Sequence, residues 1–183
     1  MGWSLFGKKK EDEEEFDALR DLELKNLKVG WMLDYDMQTW EVTAHHKVDW
    51  GAGSLTDEWE LRSGNKVIFL EYNPEDEGEF GISWKIPIGK IEGNIKEHLK
   101  THDDAPGQIV YDGVTYYLDE DGGGLFLENG KGPEQEFIFW DYVDDSEENF
   151  VTIEQWGDNE FEAAAGKAAE EYQFENILPR EVK

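Results

Sequence analysis

The chain contains no cysteine, which excludes several kinds of chemistry at once. Without thiols it has no disulfides, no cysteine-ligated metal site and no thiol nucleophile. It also lacks an apolar run near the roughly 20 residues that span a bilayer, and an apolar segment long enough for a secretory signal. We therefore expect a protein of the reducing cytoplasm.

Basic residues are scarce. Lys and Arg number 17 against 44 Asp and Glu, so the formal net charge is -27. A surface of this charge repels phosphate, which excludes nucleic acid as an expected partner. It favours instead a basic protein or a polycationic small molecule.

The motifs that carry common chemistries are also missing. The chain has no G-x-S-x-G elbow, no P-loop and no G-x-G-x-x-G phosphate loop. A calcium loop starting at Asp119 would need Glu at its twelfth place and has Gly130 there, so "DEDGGG" is predicted to be a turn. We accordingly predict no catalytic residue and no cofactor.

Aromatic residues are abundant, at 14% of the chain with 8 Trp, although hydrophobic content is only 38%. A disordered acidic chain would be poor in aromatics, so this one is expected to fold. "TWEVTAHHKVDW" alternates with a period of two, which predicts a strand with one face on a core. The residues predicted to share that face are Trp40, Val42, Ala44, His46, Val48 and Trp50.

Two segments break the period of two. Ile88, Ile91, Ile95 and Leu99 lie at helical spacing, which predicts a short linker helix within residues 89–106. "DNEFEAAAG" predicts a short C-terminal helix that ends at Gly166.

An internal repeat organises the remaining strands. Tyr35, Asp36, Thr39 and Trp40 recur 76 residues later as Tyr111, Asp112, Thr115 and Tyr116. Trp59 and the stretch 67–71 find counterparts in Trp140 and 150–154. The chain is therefore predicted to be all-β and mainly antiparallel, with two homologous barrel-like or sandwich units. The predicted domains are a charged tail with a short helix (1–24), a first β repeat (25–88), the linker helix (89–106) and a second β repeat (107–183).

The same stretches carry a family resemblance. "VGWMLDYDMQTWEV", "DEWEL" and "VIFLEY", with "YDGVTYYLDEDGGG" to "TIEQWGDNEFEAAAG" and "FENILP", resemble the bacterial family catalogued as domain of unknown function 4178, in two tandem copies over residues 25–179. The resemblance implies an all-β fold and a link to bacterial membrane-stress systems. It implies no activity, ligand or catalytic residue.

The first residues form a candidate membrane tip. Its members are Trp3, Leu5, Phe6, Lys8, Lys9 and Lys10. Aromatics in the headgroup region and lysines on anionic lipid would make a weak anchor at the inner membrane, and the alternative is a mobile tail.

The histidines offer one weak metal site. His98 and His102 are four residues apart and would share a helix face, although a solvated face explains the spacing equally well. His46 is interpreted as a semi-buried structural residue.

Two functions remain open. The first is a non-enzymatic binding or scaffold module, monomeric, with a protein or a polycationic ligand as its partner. The alternative is a small-ligand-binding protein or an enzyme with its site between the two repeats.

Overall fold

A computed structural model describes residues 22–75, 78–102 and 104–180. The described part of the chain is antiparallel β-structure with one α-helix, which confirms the all-β prediction. The strands are β1 Met32–Tyr35, β2 Gln38–Gly51, β3 Ser54–Ser63, β4 Lys66–Asn73, β5 Glu79–Ile86, β6 Gln108–Tyr111, β7 Val114–Leu127, β8 Glu134–Val143, β9 Asn149–Gly157, β10 Glu160–Ala169 and β11 Phe174–Leu178.

The sheet closes into one barrel. Its order is β11-β1-β2-β3-β4-β5-β10-β9-β8-β7-β6, and a further pairing of β2 with β7 closes the eight central strands. The halves meet at two seams: β5 pairs with β10 over seven residues, and β2 pairs with β7 over only three, Lys47–Asp49 against Leu125–Leu127. Each half contributes four strands to the barrel, so neither half closes a barrel of its own.

A bulge in β2 changes which side chains share a face. The predicted strand is confirmed, but the register to β3 shifts between Val42 and Ala44. Trp40 and Val42 pack into one buried cluster, whereas Val48 belongs to another, with Trp50 packed against it. The prediction of one continuous face was wrong because a bulge adds a residue and reverses the alternation beyond it.

Two apolar clusters cover the outside of the barrel. The first includes Trp59, Leu61 and Leu70, and it is capped by the 3₁₀ turn Leu24–Asn26. Trp59 is fully buried, and its Nε1 donates a hydrogen bond to the backbone oxygen of Leu27 at 3.0 Å. The second cluster joins Tyr116, Tyr142, Val151 and Ile153 to the connection between the halves.

That connection contains the predicted linker helix. Helix α1 spans Ile95–Thr101 and follows a 3₁₀ turn at Ile88–Lys90. Ile91 and Ile95 are buried in the second cluster, and Leu99 packs against it. The apolar stripe read from the sequence is therefore the surface that attaches this segment to the barrel.

The predicted C-terminal helix is wrong. Its residues belong to β10, which is hydrogen-bonded on both sides, to β5 and to β9. Two full ladders override the helix preference of the alanines, and Ala163 and Ala165 are small enough to be buried in the second cluster. The only regular element between β10 and β11 is a 3₁₀ turn, Glu171–Gln173, in this described region.

The predicted turn "DEDGGG" is also wrong, because these residues lie within β7. Glycine is needed here for space. A Cβ at Gly124 would lie 2.9 Å from the ring of Phe137, and one at Gly122 would lie 3.2 Å from the ring of Phe139. The glycines thus let two aromatic rings lie directly on the barrel wall.

Candidate functional site

The interior of the barrel is open space rather than packed core. A cavity of about 670 Å³ is lined by side chains from all eight barrel strands, and we call it the aromatic chamber. A second cavity of about 550 Å³, the acidic chamber, shares part of its lining. The shared residues are Trp50, Thr56, Glu71, Phe139, Asp141 and Phe150. The chambers are therefore adjoining parts of one lumen.

Strand alternation explains why the barrel has carboxylates in its lumen and apolar side chains on its exterior. Trp59 and Leu70 are cross-strand partners that face the outer cluster. Their neighbours Glu58 and Glu71 are also cross-strand partners, and both line the aromatic chamber. A period of two thus sends apolar residues outwards and carboxylates inwards.

Aromatic rings form the wall of the aromatic chamber. Trp50 meets Phe137 and Phe139 edge to face, at centroid distances of 5.8 and 5.1 Å. Phe137 stacks on Trp156 at 4.8 Å, and Trp156 meets Phe126 at 5.6 Å. These contacts join side chains from β2, β7, β8 and β9 into a continuous apolar surface for a ligand.

Glu58 and Glu71 lie inside the barrel, where Glu58 is half-buried and Glu71 is exposed to the lumen that it lines. Burial, with repulsion from Glu154, raises the pKa of Glu58 to about 7. Burial, with repulsion from Glu58 and Asp141, raises the pKa of Glu71 to about 8. Neither carboxylate has a hydrogen bond or ion pair within the described residues.

Asp141 is the third lumen residue whose carboxyl pKa is raised. Burial raises its pKa to about 6, although a hydrogen bond donated by Thr152 Oγ1 at 2.5 Å acts in the opposite direction. Repulsion from Glu120 and Glu154 adds to the increase. The lumen therefore contains carboxyl groups whose pKa values are raised towards neutral pH.

Lys85 is the lysine that lines the aromatic chamber. Its Nζ lies 2.6 Å from Glu162 and 3.5 Å from Glu154. Burial alone would lower the pKa of Lys85, but these two carboxylates outweigh burial and raise it. Lys85 is thus paired with these two carboxylates, and it does not line the acidic chamber.

The predicted site residues lie elsewhere. His98 and His102 stack face to face, with ring centroids 4.2 Å apart. The described residues contain no group of three or more His, Asp or Glu placed to hold a metal ion. His46 is half-buried, as interpreted, and its Nδ1 accepts a hydrogen bond from the backbone of Asn129 at 3.0 Å. The candidate membrane tip, Trp3 to Lys10, lies outside the described residues.

Comparison with known proteins places this barrel in a family. The model of the family described as "Domain of unknown function (DUF4178)" matches residues 28–171. The chain belongs to this family. The match is single and spans both halves, so one family domain comprises the whole barrel rather than half of it.

A relative shares nearly the full length. A protein of Aquifex aeolicus (strain VF5), described as "Uncharacterized protein", is 31% identical over 176 residues, covering 96% of this chain and 95% of the relative. No solved structure matches. Among the described residues, no helix is both long and apolar enough to cross a membrane.

The sequence analysis did not identify the lumen carboxylates as site residues. A glutamate in a strand reads as a solvent-facing residue when it lies between two apolar residues, as Glu71 does, or beside another acid, as Glu58 does next to Asp57. A signal was nevertheless present. "KVIFLEY" is apolar on both faces from Val67 up to Glu71, and so is "FIFW" in the second half. Strands of this kind have an interior on each side, which places their acids inside as well.

Proposed function

We propose that this protein is a non-enzymatic binding module that holds a small ligand in the barrel lumen, between its two halves. The observation that carries the proposal is the cavity of about 670 Å³ to which all eight barrel strands contribute. Ligand sites are typically concave spaces of about 300–1,000 Å³, mostly apolar with a few converging polar groups. The aromatic wall and the unpaired carboxylates of Glu58 and Glu71 fit that description.

We also propose that the two halves are homologous units, as the sequence repeat predicts. The strand registers support this. Val42 pairs with Leu61 in the first half as Leu118 pairs with Tyr142 in the second, and each strand then shifts register at the next step. The two Tyr-Asp turns also match, with positive φ at Asp36 and Asp112. A duplication would explain why the lumen lies between two similar walls.

The proposal includes a monomer in the cytoplasm. The edges of the eleven-stranded sheet are β6 and β11, which have only four and five residues. Short edge strands resist pairing with a second chain. A scaffold role in membrane-stress systems, with the residues from Trp3 to Lys10 as an anchor, remains a prediction.

Binding of a neutral fluorescent probe tests the lumen. We expect Nile red to bind saturably, one molecule per chain. Ala164 lines the aromatic chamber, so Ala164→Leu should fill space there and weaken binding about tenfold, the equivalent of 1.4 kcal/mol. Ala105→Leu is the matched control, because Ala105 is half-buried and lines neither chamber.

Urea unfolding of both variants would verify that they fold. A wild type that does not bind Nile red, or an Ala164→Leu protein that folds and binds it as well as the wild type, would refute the lumen as the site.

A further inference from the structure

We propose that the ligand is an organic cation, a protonated amine on an apolar group, with its ammonium in the acidic chamber and its apolar part in the aromatic chamber. This inference rests on the proposed function, since it assigns the chemical class of a ligand to the same lumen.

The charge of the acidic chamber supports a cation. Seven carboxylates line it, including Glu71, Glu120 and Asp141, and its lining contains no Lys or Arg among the described residues. Lys85 lines the other chamber, where it pairs with Glu162 and Glu154. The acidic chamber therefore lacks a countercharge from its own described side chains.

The unpartnered acids give independent support. Glu71 and Glu58 line the lumen inside the barrel wall and lack a hydrogen bond or ion pair in the described structure. An ionised carboxylate that shares an enclosed lumen with other carboxylates is less stable than one in bulk water. An ammonium group bound between the chambers would supply both the charge and the hydrogen-bond donors that these oxygens lack.

The aromatic residues fit the other part of the ligand. Trp50, Phe139 and Phe150 border both chambers. Aromatic rings beside carboxylates stabilise ammonium groups through cation–π attraction. The aromatic chamber beyond them buries an apolar chain or ring. An anionic ligand of the same shape would meet repulsion from the carboxylates instead.

Protonation should be coupled to binding. The charged groups that face Glu71 are Glu58 from β3, Lys85 from β5, Asp141 from β8 and Glu154 from β9. A bound ammonium favours the ionised form of these carboxyls, so at pH 7 binding should release protons. An anionic or neutral ligand would not cause this release.

Three probes with one fluorophore separate charge from shape. They are dansylcadaverine, which is a cation, its neutral N-acetyl derivative, and a dansyl-aminopentanoate, which is an anion. Trp50 and Trp156 line the aromatic chamber, so energy transfer from tryptophan to the dansyl group reports binding. We expect the cation to bind at least about tenfold more tightly than the neutral probe, and the anion not to bind.

Two further measurements test the mechanism. Glu71→Gln should weaken the cation about tenfold and leave the neutral probe unchanged, whereas Glu41→Gln, at an exposed position outside the lumen, should change neither. Calorimetry in buffers of different ionisation enthalpy should show proton release with the cation alone. If all three probes bind equally, the inference fails and the proposed function stands. If no probe binds, and Nile red does not bind either, both fail.

Discussion

Replacing Glu71 by glutamine should stabilise the protein, by an amount that depends on pH. The pKa of Glu71 is raised from 4.5 to about 8, so the folded state holds a proton that the unfolded chain releases. Above the ordinary pKa of glutamic acid, this difference lowers the free energy of unfolding as pH rises, until the folded carboxyl also ionises near pH 8. Glutamine removes the dependence because it does not titrate.

The size of the effect follows from that pKa difference. Each tenfold change in proton affinity corresponds to about 1.4 kcal/mol, so the upper bound on the stabilisation by Glu71→Gln is about 5 kcal/mol. Water in the lumen reaches the Glu71 side chain and screens its charge, so we expect about 1–2 kcal/mol. The gain should be smallest near pH 5, grow up to pH 8 and stay constant above.

Urea unfolding followed by tryptophan fluorescence measures this gain at several pH values. Glu41→Gln serves as the control, because Glu41 is exposed on β2 and should show no pH-dependent change. A Glu71→Gln gain that is absent, or equal at pH 5 and pH 8.5, would refute the reasoning. Glu71 would then ionise in the barrel as readily as in water.

Two further substitutions test the packing. Gly166→Ala places a Cβ 2.6 Å from the backbone oxygen of Ile82, so we expect the free energy of unfolding measured in urea to fall by about 2–3 kcal/mol. Gly89→Ala is the control and should be neutral, because a Cβ at Gly89 has nothing within 4 Å. Equal stability of the two variants would contradict the crowding at Gly166. Trp59→Phe removes the hydrogen bond to Leu27 and leaves its oxygen unpaired, so thermal unfolding should show a loss of about 1–3 kcal/mol. An unchanged Tm would argue against that bond.

The strands were predictable because the residues that indicate a strand lie within the strand itself and at its ends. Alternation and turn residues identified the strand around residues 39–50, and the hairpin residues Asp36 and Asp112 adopt the positive φ typical of such turns. The bulge after Val42 was not predictable, because it depends on pairing with β3 rather than on β2 alone. One inserted residue then reassigned His46 and Trp50 to the opposite face.

The two wrong elements share a cause. "DEDGGG" and "EFEAAAG" have the composition of a turn and of a helix, yet both lie in strands with partners on each side. Gly124 lies in β7 because Phe137 needs the space, and the alanines lie in β10 because the layer that covers them is close. The sequence shows that these residues are small. The contacts that require small residues are made by neighbouring strands and by the covering layer, which the local sequence does not show.

The candidate site was the least predictable part. Strand alternation distinguishes two faces but does not say which face encloses a lumen. Glu58 and Glu71 became a site only when the barrel closed and placed them opposite Asp141 and Glu154.

The closure of the barrel also determines how this chain must fold. The ladder between β5 and β10 joins residues about 80 positions apart, and β1 pairs with β11 across about 140 positions. Contacts so distant in sequence form late, because loop entropy is lost before they contribute, and all-β chains of this kind fold over milliseconds to seconds. During that interval the apolar residues of each half are exposed. A net charge of -27 keeps such half-formed chains apart by mutual repulsion, so the acidity of the sequence protects its slow assembly from aggregation.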